Sequence, residues 1–446
     1  MLIIGGSDAG ISAALRIREL DPQEEVTLVV ADAFANYSIC GLPFYLSGEV
    51  GDWRRLAHRT QDELEGKGLK LLLNHTAQEI DPLKRLVKVA DRAGLEKNLS
   101  YNRLLIATGA TPSLPQISGV HEPGVFPLHT MEDSFQLNRF LTEQRPRSAI
   151  IIGGGYIGLE MADALTYRGL KVTLIGRPIR VLPTVDQELG ALVEEELGRH
   201  KVEVINQTTV ESIERMKNKL VVKGSGGFLS NADLVLVATG VRPSSQLGAH
   251  AGVLTSSQGA LCVNRKMETN VPGIYAAGDC VETWHHLLQT YVYLPLGTTA
   301  HKQGRVAGEN IAGGNRSFMG SLGTQVVKVF ELTIARTGLR DQEALQAGFD
   351  PLTVELETWD HKAYYPNPHN IHIRVTGDRQ TGRLLGAQML GHWHSEVAKR
   401  IDVFATALYH QMKVEELNNL DLSYTPPFSS PWDPVQLSAQ AWTGAR

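Results

Sequence analysis

The chain has 446 residues, of which 42% are hydrophobic and 20% charged, with a formal net charge of −5. This length suffices for about three ordinary domains. The balance is that of a globular protein, with no basic tract to hold nucleic acid and no apolar run of about 18 residues to cross a membrane. The start, Met1-Leu2-Ile3-Ile4, enters a strand-like segment directly and lacks the charged start and longer apolar stretch of a signal peptide. Three cysteines, Cys40, Cys262 and Cys280, form neither a disulfide framework nor a metal-ligand spacing. No metal is expected, and a reducing cytoplasm is the expected location.

In chain order, the first predicted strand, Leu2-Ile3-Ile4, runs into a glycine turn with Gly5, Ser7, Ala9 and Gly10, then into a helical pattern. A strand handing its chain to a helix through small residues brings backbone N–H groups and a helix N-terminus against a dinucleotide pyrophosphate. Serine replaces the middle glycine and is small enough to keep the approach close. After the next strand, Val26 to Val30, the nearest acid for an adenosine ribose is Asp32. Cys40 follows in Asn36-Tyr37-Ser38-Ile39-Cys40-Gly41-Leu42-Pro43, ahead of a predicted helix. A thiol at a helix start is expected to be held as thiolate by the dipole and to be a good nucleophile. Cys262 and Cys280 are expected to be packed thiols.

The strand Leu104-Leu105-Ile106 ends in Ala107-Thr108-Gly109. The same pair of segments then repeats. Ile150-Ile151-Ile152 opens a complete G-x-G-x-x-G with Gly153, Gly155 and Gly158, enclosing Tyr156 and Ile157. About 90 residues later a strand ends in Ala238-Thr239-Gly240. Two such copies predict two dinucleotide-binding units. Where the second unit would carry an acid for an unphosphorylated ribose, after Lys171 to Ile175, the chain shows Gly176, Arg177 and then Arg180. No carboxylate repels a 2′-phosphate there and arginines can pair with one, so NADPH is favoured and NADH is the alternative. A third strand pattern ends in Gly278-Asp279, whose carboxylate can accept hydrogen bonds from a polyol. His285-His286 is read as a solvated or packed pair.

This order of motifs resembles the pyridine nucleotide–disulfide oxidoreductases over essentially the whole chain. The resemblance implies an α/β fold with two Rossmann-like units and a C-terminal α/β dimerisation domain. The expected layout is an FAD unit from residues 1–112 and 244–323, an NAD(P) unit at 113–243, and dimerisation through 324–446. By the same resemblance the first glycine turn and Asp279 contact FAD, as does the helix start at Gly297, Thr298 and Thr299. Tyr156 lies on the flavin face, where relatives move a tyrosine aside for nicotinamide.

Within the family, Ser-x-Cys-Gly-Leu-Pro-x-Tyr around Cys40 is most similar to the coenzyme A–disulfide reductases, relatives of NADH oxidases, peroxidases and persulfide reductases. The Cys-x4-Cys of other branches is absent, since Tyr45 stands at the second position. The redox centre is then one cysteine plus flavin. Asp8 occupies the place of the histidine of the oxidase branch. His361-Lys362-Ala363-Tyr364-Tyr365-Pro366 and Tyr424-Thr425-Pro426-Pro427, with Trp432 beyond, resemble the tyrosine motifs of the reductases. There, Tyr424 and one of Tyr364 or Tyr365 would reach across a homodimer to protonate a leaving thiolate. Two departures concern coenzyme A itself: Glu19 is acidic where an arginine is expected, and Ile39 replaces a polar residue. The implied activity is NAD(P)H-driven reduction of a small disulfide or persulfide. Oxygen, peroxide, sulfur or metalloid acceptors stay open, and so does electron transfer to a small iron-sulfur protein.

Overall fold

A computed structural model describes all 446 residues. Two five-stranded parallel sheets dominate the first three quarters of the chain. The first has the order Ile274–Ala276, Leu104–Ile106, Leu2–Ile4, Val26–Val29, Leu69–Leu72. The second has the order Glu203–Ile205, Lys171–Ile175, Ser148–Ile152, Leu234–Val237, Val125–Pro127. Leu2–Ile4 and Leu104–Ile106 in the first and Leu234–Val237 in the second are fully apolar and buried, as sheets covered by helices on both faces require. Each unit also carries a three-stranded antiparallel sheet, at 75–100 and 210–232, just before the strand that ends in Ala-Thr-Gly. The sequence repeat is thus a repeat of topology.

The chain leaves and re-enters the first unit through a two-stranded antiparallel ribbon, Ala110–Pro112 against Val241–Pro243. The threonines of the two Ala-Thr-Gly segments clamp it. Thr108 Oγ1 donates to the Ser244 carbonyl at 2.5 Å, and Thr239 Oγ1 donates to that of Ser113.

Residues 325–392 form a five-stranded antiparallel sheet in the order Gln325–Val329, Leu332–Gly338, Leu384–His392, Asn370–Asp378, Pro351–Trp359. The helices Val397–Tyr409 and Pro434–Ala445 cover it, with Phe404 and Trp442 fully buried. One apolar cluster runs from the second unit into this sheet through Val327, Val329, Phe330 and Ile334, so the two pack as one body.

Candidate functional site

Both glycine turns have the same construction. Gly5 and Gly153 adopt φ of +119° and +117°, and a side chain there would overlap the carbonyl oxygens of Ala107 and Ala238. Gly10 and Gly158 press onto the carbonyls of Gly5 and Gly153, which draws each helix tightly onto its strand. Gly155 faces open space, leaving its backbone free for a ligand.

Two helices of the first unit bring their N-termini together. Asp8–Leu20 and Gly297–Ile311 run parallel because Gly304 and Gly308 leave no room between themselves and the backbone of Ala9 and Ala13. Small residues at the crossing let the axes approach more closely than ordinary side chains permit. As a result, Asp8, the Gly297-Thr298-Thr299 start and the Gly278-Asp279 turn converge; Gly278 N is held by the Gln303 amide oxygen at 2.9 Å.

Asp279 is enclosed at this junction, and no protein donor reaches its carboxylate. Burial, and secondarily Asp8, push it up to about 6. A carboxylate so placed fits a hydroxyl-rich ligand that donates to it. With the Gly5–Gly10 cradle, these residues fit FAD. Asp32 lies just past the second strand; its Oδ1 accepts from Phe34 N at 2.8 Å, leaving the other oxygen for a ribose.

Cys40 sits in a 3-10 turn, Ile39–Gly41, ahead of the short helix Leu42–Ser47. That helix is pinned to the second unit. Leu46 packs with Leu159 and Met161, and Arg168 Nη1 donates to the Leu46 carbonyl at 3.0 Å. The thiol therefore faces both units: it is open to the cleft yet crowded by protein on its other sides. The expectation of a dipole-stabilised thiolate is corrected here. Burial raises the thiol above its ordinary value, and the charges of Glu160, Asp8 and Asp279 add to the rise. One turn of 3-10 and a six-residue helix supply too little dipole to offset three carboxylates.

Glu160 is a residue that the motif reading passed over. It lies two places beyond the last glycine of the second turn, enclosed and with its charge acting on the thiol, and burial and Asp163 push it up to about 7. An acid one residue past the buried Leu159, on the fingerprint helix, was the available signal.

The other candidates divide. Tyr156 does not end in free space. Its hydroxyl pairs with Gln325 and accepts from Thr184 Oγ1 at 3.0 Å, which ties the second glycine turn to the C-terminal sheet. Ile157 and Gly158 lie on the same helix start. Gly109 and Gly240 both have positive φ and open space at the ribbon. The hydroxyls of Thr108 and Thr239 are committed to the ribbon, which leaves only backbone for a ligand at those positions. Gly176 is buried and Arg177 exposed. Arg180 is paired with Glu194 at 2.7 Å.

Tyr364 and Tyr424 lie on the surface of the C-terminal unit, 74% and 44% exposed, with Tyr365 and Trp432 nearby in the sequence and also exposed. Lys362 N bonds the Pro426 carbonyl at 3.3 Å, bringing the two tyrosine segments side by side. His285 and His286 are packed, not solvated: His286 stacks on Tyr409, and burial pushes His285 down to about 4. Cys280 is buried against the Ile106 and Ala277 carbonyls, and Cys262 lies beside Glu282. No helix is long and apolar enough to cross a membrane.

Residues 1–304 match the family described as pyridine nucleotide-disulphide oxidoreductase, and residues 324–434 match its dimerisation domain. The chain is 36% identical to the NAD(P)H sulfur oxidoreductase (CoA-dependent) of Pyrococcus abyssi, over 99% of this chain and 97% of that protein. It is 32% identical to the coenzyme A disulfide reductase of Staphylococcus haemolyticus, over 98% of each. Among solved structures, an NAD-dependent persulfide reductase from A. fulgidus superposes with a TM-score of 0.95 at 38% identity, covering 100% of this chain and 83% of that one. Carrying the paired glycine turns, the Gly-Asp junction and the ribbon-linked units, the chain belongs to the pyridine nucleotide-disulphide oxidoreductase family, whose members bind FAD and a pyridine nucleotide.

Proposed function

We propose that this chain uses NAD(P)H to reduce a small disulfide or persulfide, of the coenzyme A disulfide type, through the single thiol of Cys40. The observation that carries this reading is the position of Cys40, exposed and just ahead of the Leu42–Ser47 helix that Arg168 and Leu46 pin to the second nucleotide unit, with the other two cysteines placed elsewhere. We take the units as 1–112 with 244–323, 113–243 and 324–446. FAD, when bound, accepts hydride from the nicotinamide and passes the electron pair to sulfur.

The residues divide the remaining work. The first glycine turn, Asp32, Asp279 and the Gly297–Thr299 start hold FAD. The second turn, with Tyr156, orients the nicotinamide, and Arg177 receives a 2′-phosphate, so NADPH is the favoured donor. Arg180 contributes less, because Glu194 already neutralises it. Cys40 attacks one sulfur of the substrate and releases the other as a thiolate. Tyr424, with Tyr364 or Tyr365, completes the site of a neighbouring copy in a homodimer and protonates the thiolate released when the mixed disulfide on Cys40 is reduced. The exposed aromatic surface and the family's dimerisation domain support this arrangement. A cytoplasmic location accords with three unpaired cysteines.

The test is Cys40→Ser. The variant should retain FAD and reduction of the flavin by NADPH, and should lose turnover of coenzyme A disulfide and of glutathione persulfide. Full turnover of either acceptor by this variant would sink the reading.

A further inference from the structure

The loop that carries Arg177 and Arg180 is tethered at both ends to the second glycine turn. It starts at Gly176, where an added side chain would lie 3.9 Å from Gly154 N. It ends at Leu182, whose N donates to the Gly154 carbonyl at 2.7 Å. Both arginines therefore sit on a short bridge beside the turn, at the carboxyl end of the sheet where an α/β unit takes its ligand. Their side chains have different fates. Arg177 is exposed and pairs with no carboxylate, whereas Arg180 Nη1 is held by Glu194 Oε2 at 2.7 Å.

Glu194 does more than neutralise that guanidinium. It stands in the middle of the helix Gln187–Arg199, only 14% exposed. Its Oε1 accepts from Val181 N at 3.0 Å and from Asn206 Nδ2 at 2.7 Å. Val181 belongs to the loop, and Asn206 follows the strand Glu203–Ile205, which lies next to Lys171–Ile175 in the sheet. Gly190, one turn earlier on the same helix face, lets the helix close on the loop: a side chain there would come within 2.9 Å of the Val181 carbonyl oxygen. One carboxylate thus fixes the loop backbone through one oxygen and takes the charge of Arg180 through the other.

We propose that Glu194 sets the donor preference of this chain. By holding Arg180 it leaves Arg177 as the single free guanidinium for a 2′-phosphate, which keeps NADH in use beside NADPH. The inference rests on the reading of this loop as the 2′-phosphate site. A phosphate near Arg180 must compete with a carboxylate already in place, and the charge of Glu194 opposes the phosphate directly. A 2′-hydroxyl meets neither obstacle. Glu194 is therefore a positioning residue that acts on specificity through Arg180.

The experiment follows anaerobic flavin reduction in the FAD-loaded protein by stopped-flow absorbance, with NADPH and with NADH and no disulfide present. The apparent Kd values of the two donors give a preference ratio. Glu194→Gln keeps an amide oxygen as acceptor for Val181 and Asn206 and removes the charge. It should shift the ratio toward NADPH about fivefold or more. Arg180→Ala combined with Glu194→Gln should cancel that gain. Glu195→Gln removes the same charge from an exposed position on the same helix and should keep the wild-type ratio. A loosened loop alone would move both apparent Kd values together and leave the ratio where it was. An unchanged ratio in Glu194→Gln, an equal gain in Glu195→Gln, or a gain that survives in the double variant overturns the proposal. Arg180→Ala by itself should shift the ratio less than about twofold, because the guanidinium is already paired. A larger loss of NADPH preference there would show Arg180 already at work, and it overturns the proposal even where Glu194→Gln does not fold. Arg177→Ala separates the two levels: if it leaves the ratio unchanged, the reading of the loop itself fails. If it lowers NADPH preference while Glu194→Gln changes nothing, only the role of Glu194 falls.

Discussion

Glu343 joins the C-terminal sheet to the second nucleotide unit, and its loss is a quantitative test of that joint. It accepts from Arg336 Nη2 at 2.8 Å, from Arg340 Nη2 at 2.9 Å and from Arg340 N at 2.9 Å. The same arginines reach into the loop that carries Thr184, the partner of Tyr156: Arg336 Nη1 donates to the Thr184 carbonyl at 2.6 Å, and Arg340 Nη1 to that of Pro183 at 2.9 Å. Burial alone would raise the Glu343 carboxyl, yet Arg336 and the hydrogen bonds hold it at about 2, below its ordinary 4.5. At about 1.4 kcal/mol per pH unit, that depression corresponds to an upper bound of about 3 kcal/mol. The Glu343 side chain is 30% exposed, so solvent screening reduces the contribution to about 1–2 kcal/mol. Glu343→Gln leaves two guanidiniums without their carboxylate, Arg336 among them at 9% exposure.

Because the folded-state value lies below the unfolded one, the stabilisation is complete above about pH 4.5 and is lost as pH falls toward 2. Urea unfolding followed by tryptophan fluorescence, at steps from pH 7 to pH 3, should show a lower midpoint for Glu343→Gln at neutral pH. The gap to wild type should narrow below pH 4.5. A gap that holds constant down to pH 3, or a midpoint unchanged at pH 7, would refute the reasoning.

Gly304→Val forces a branched side chain into the Ala9 backbone. Overpacking of this kind costs about 1–3 kcal/mol. Since it spreads the helix starts that frame the FAD site, the Kd for FAD should rise at least about tenfold by fluorescence titration. Arg177→Ala should raise KM for NADPH about tenfold or more and leave KM for NADH near wild type, as loss of a charge-assisted bond worth about 1.5–3 kcal/mol predicts. Arg180→Ala should have a smaller effect on either, because Glu194 already holds that guanidinium. Asp279→Leu removes the enclosed carboxylate and should yield protein purified largely without FAD, read from the ratio of flavin to protein absorbance. Tyr424→Phe should keep the dimer, by light scattering, and lower disulfide turnover.

The two glycine turns, the paired Ala-Thr-Gly segments and the Gly-Asp junction were all legible in the chain. Each depends on local backbone geometry that only small residues allow, such as the positive φ of Gly5 and Gly153. That is enough to determine two dinucleotide units in a definite order and a single cysteine in line with them. Long-range contacts decided the rest. The fate of the Thr108 and Thr239 hydroxyls depends on residues 136 and 126 positions away. The pairing of Arg180 with Glu194 consumes a charge that looked free. The direction of the Cys40 thiol's shift follows from burial first and then from three carboxylates on separate segments, Glu160, Asp8 and Asp279, which only the folded chain gathers. Local propensity cannot report that sum, because Coulomb energy depends on distance through the protein, not on spacing along it. For the same reason His301 is unremarkable in sequence, and it becomes the partner of Asp8 and Ser12 only where Gly304 and Gly308 let two helices meet.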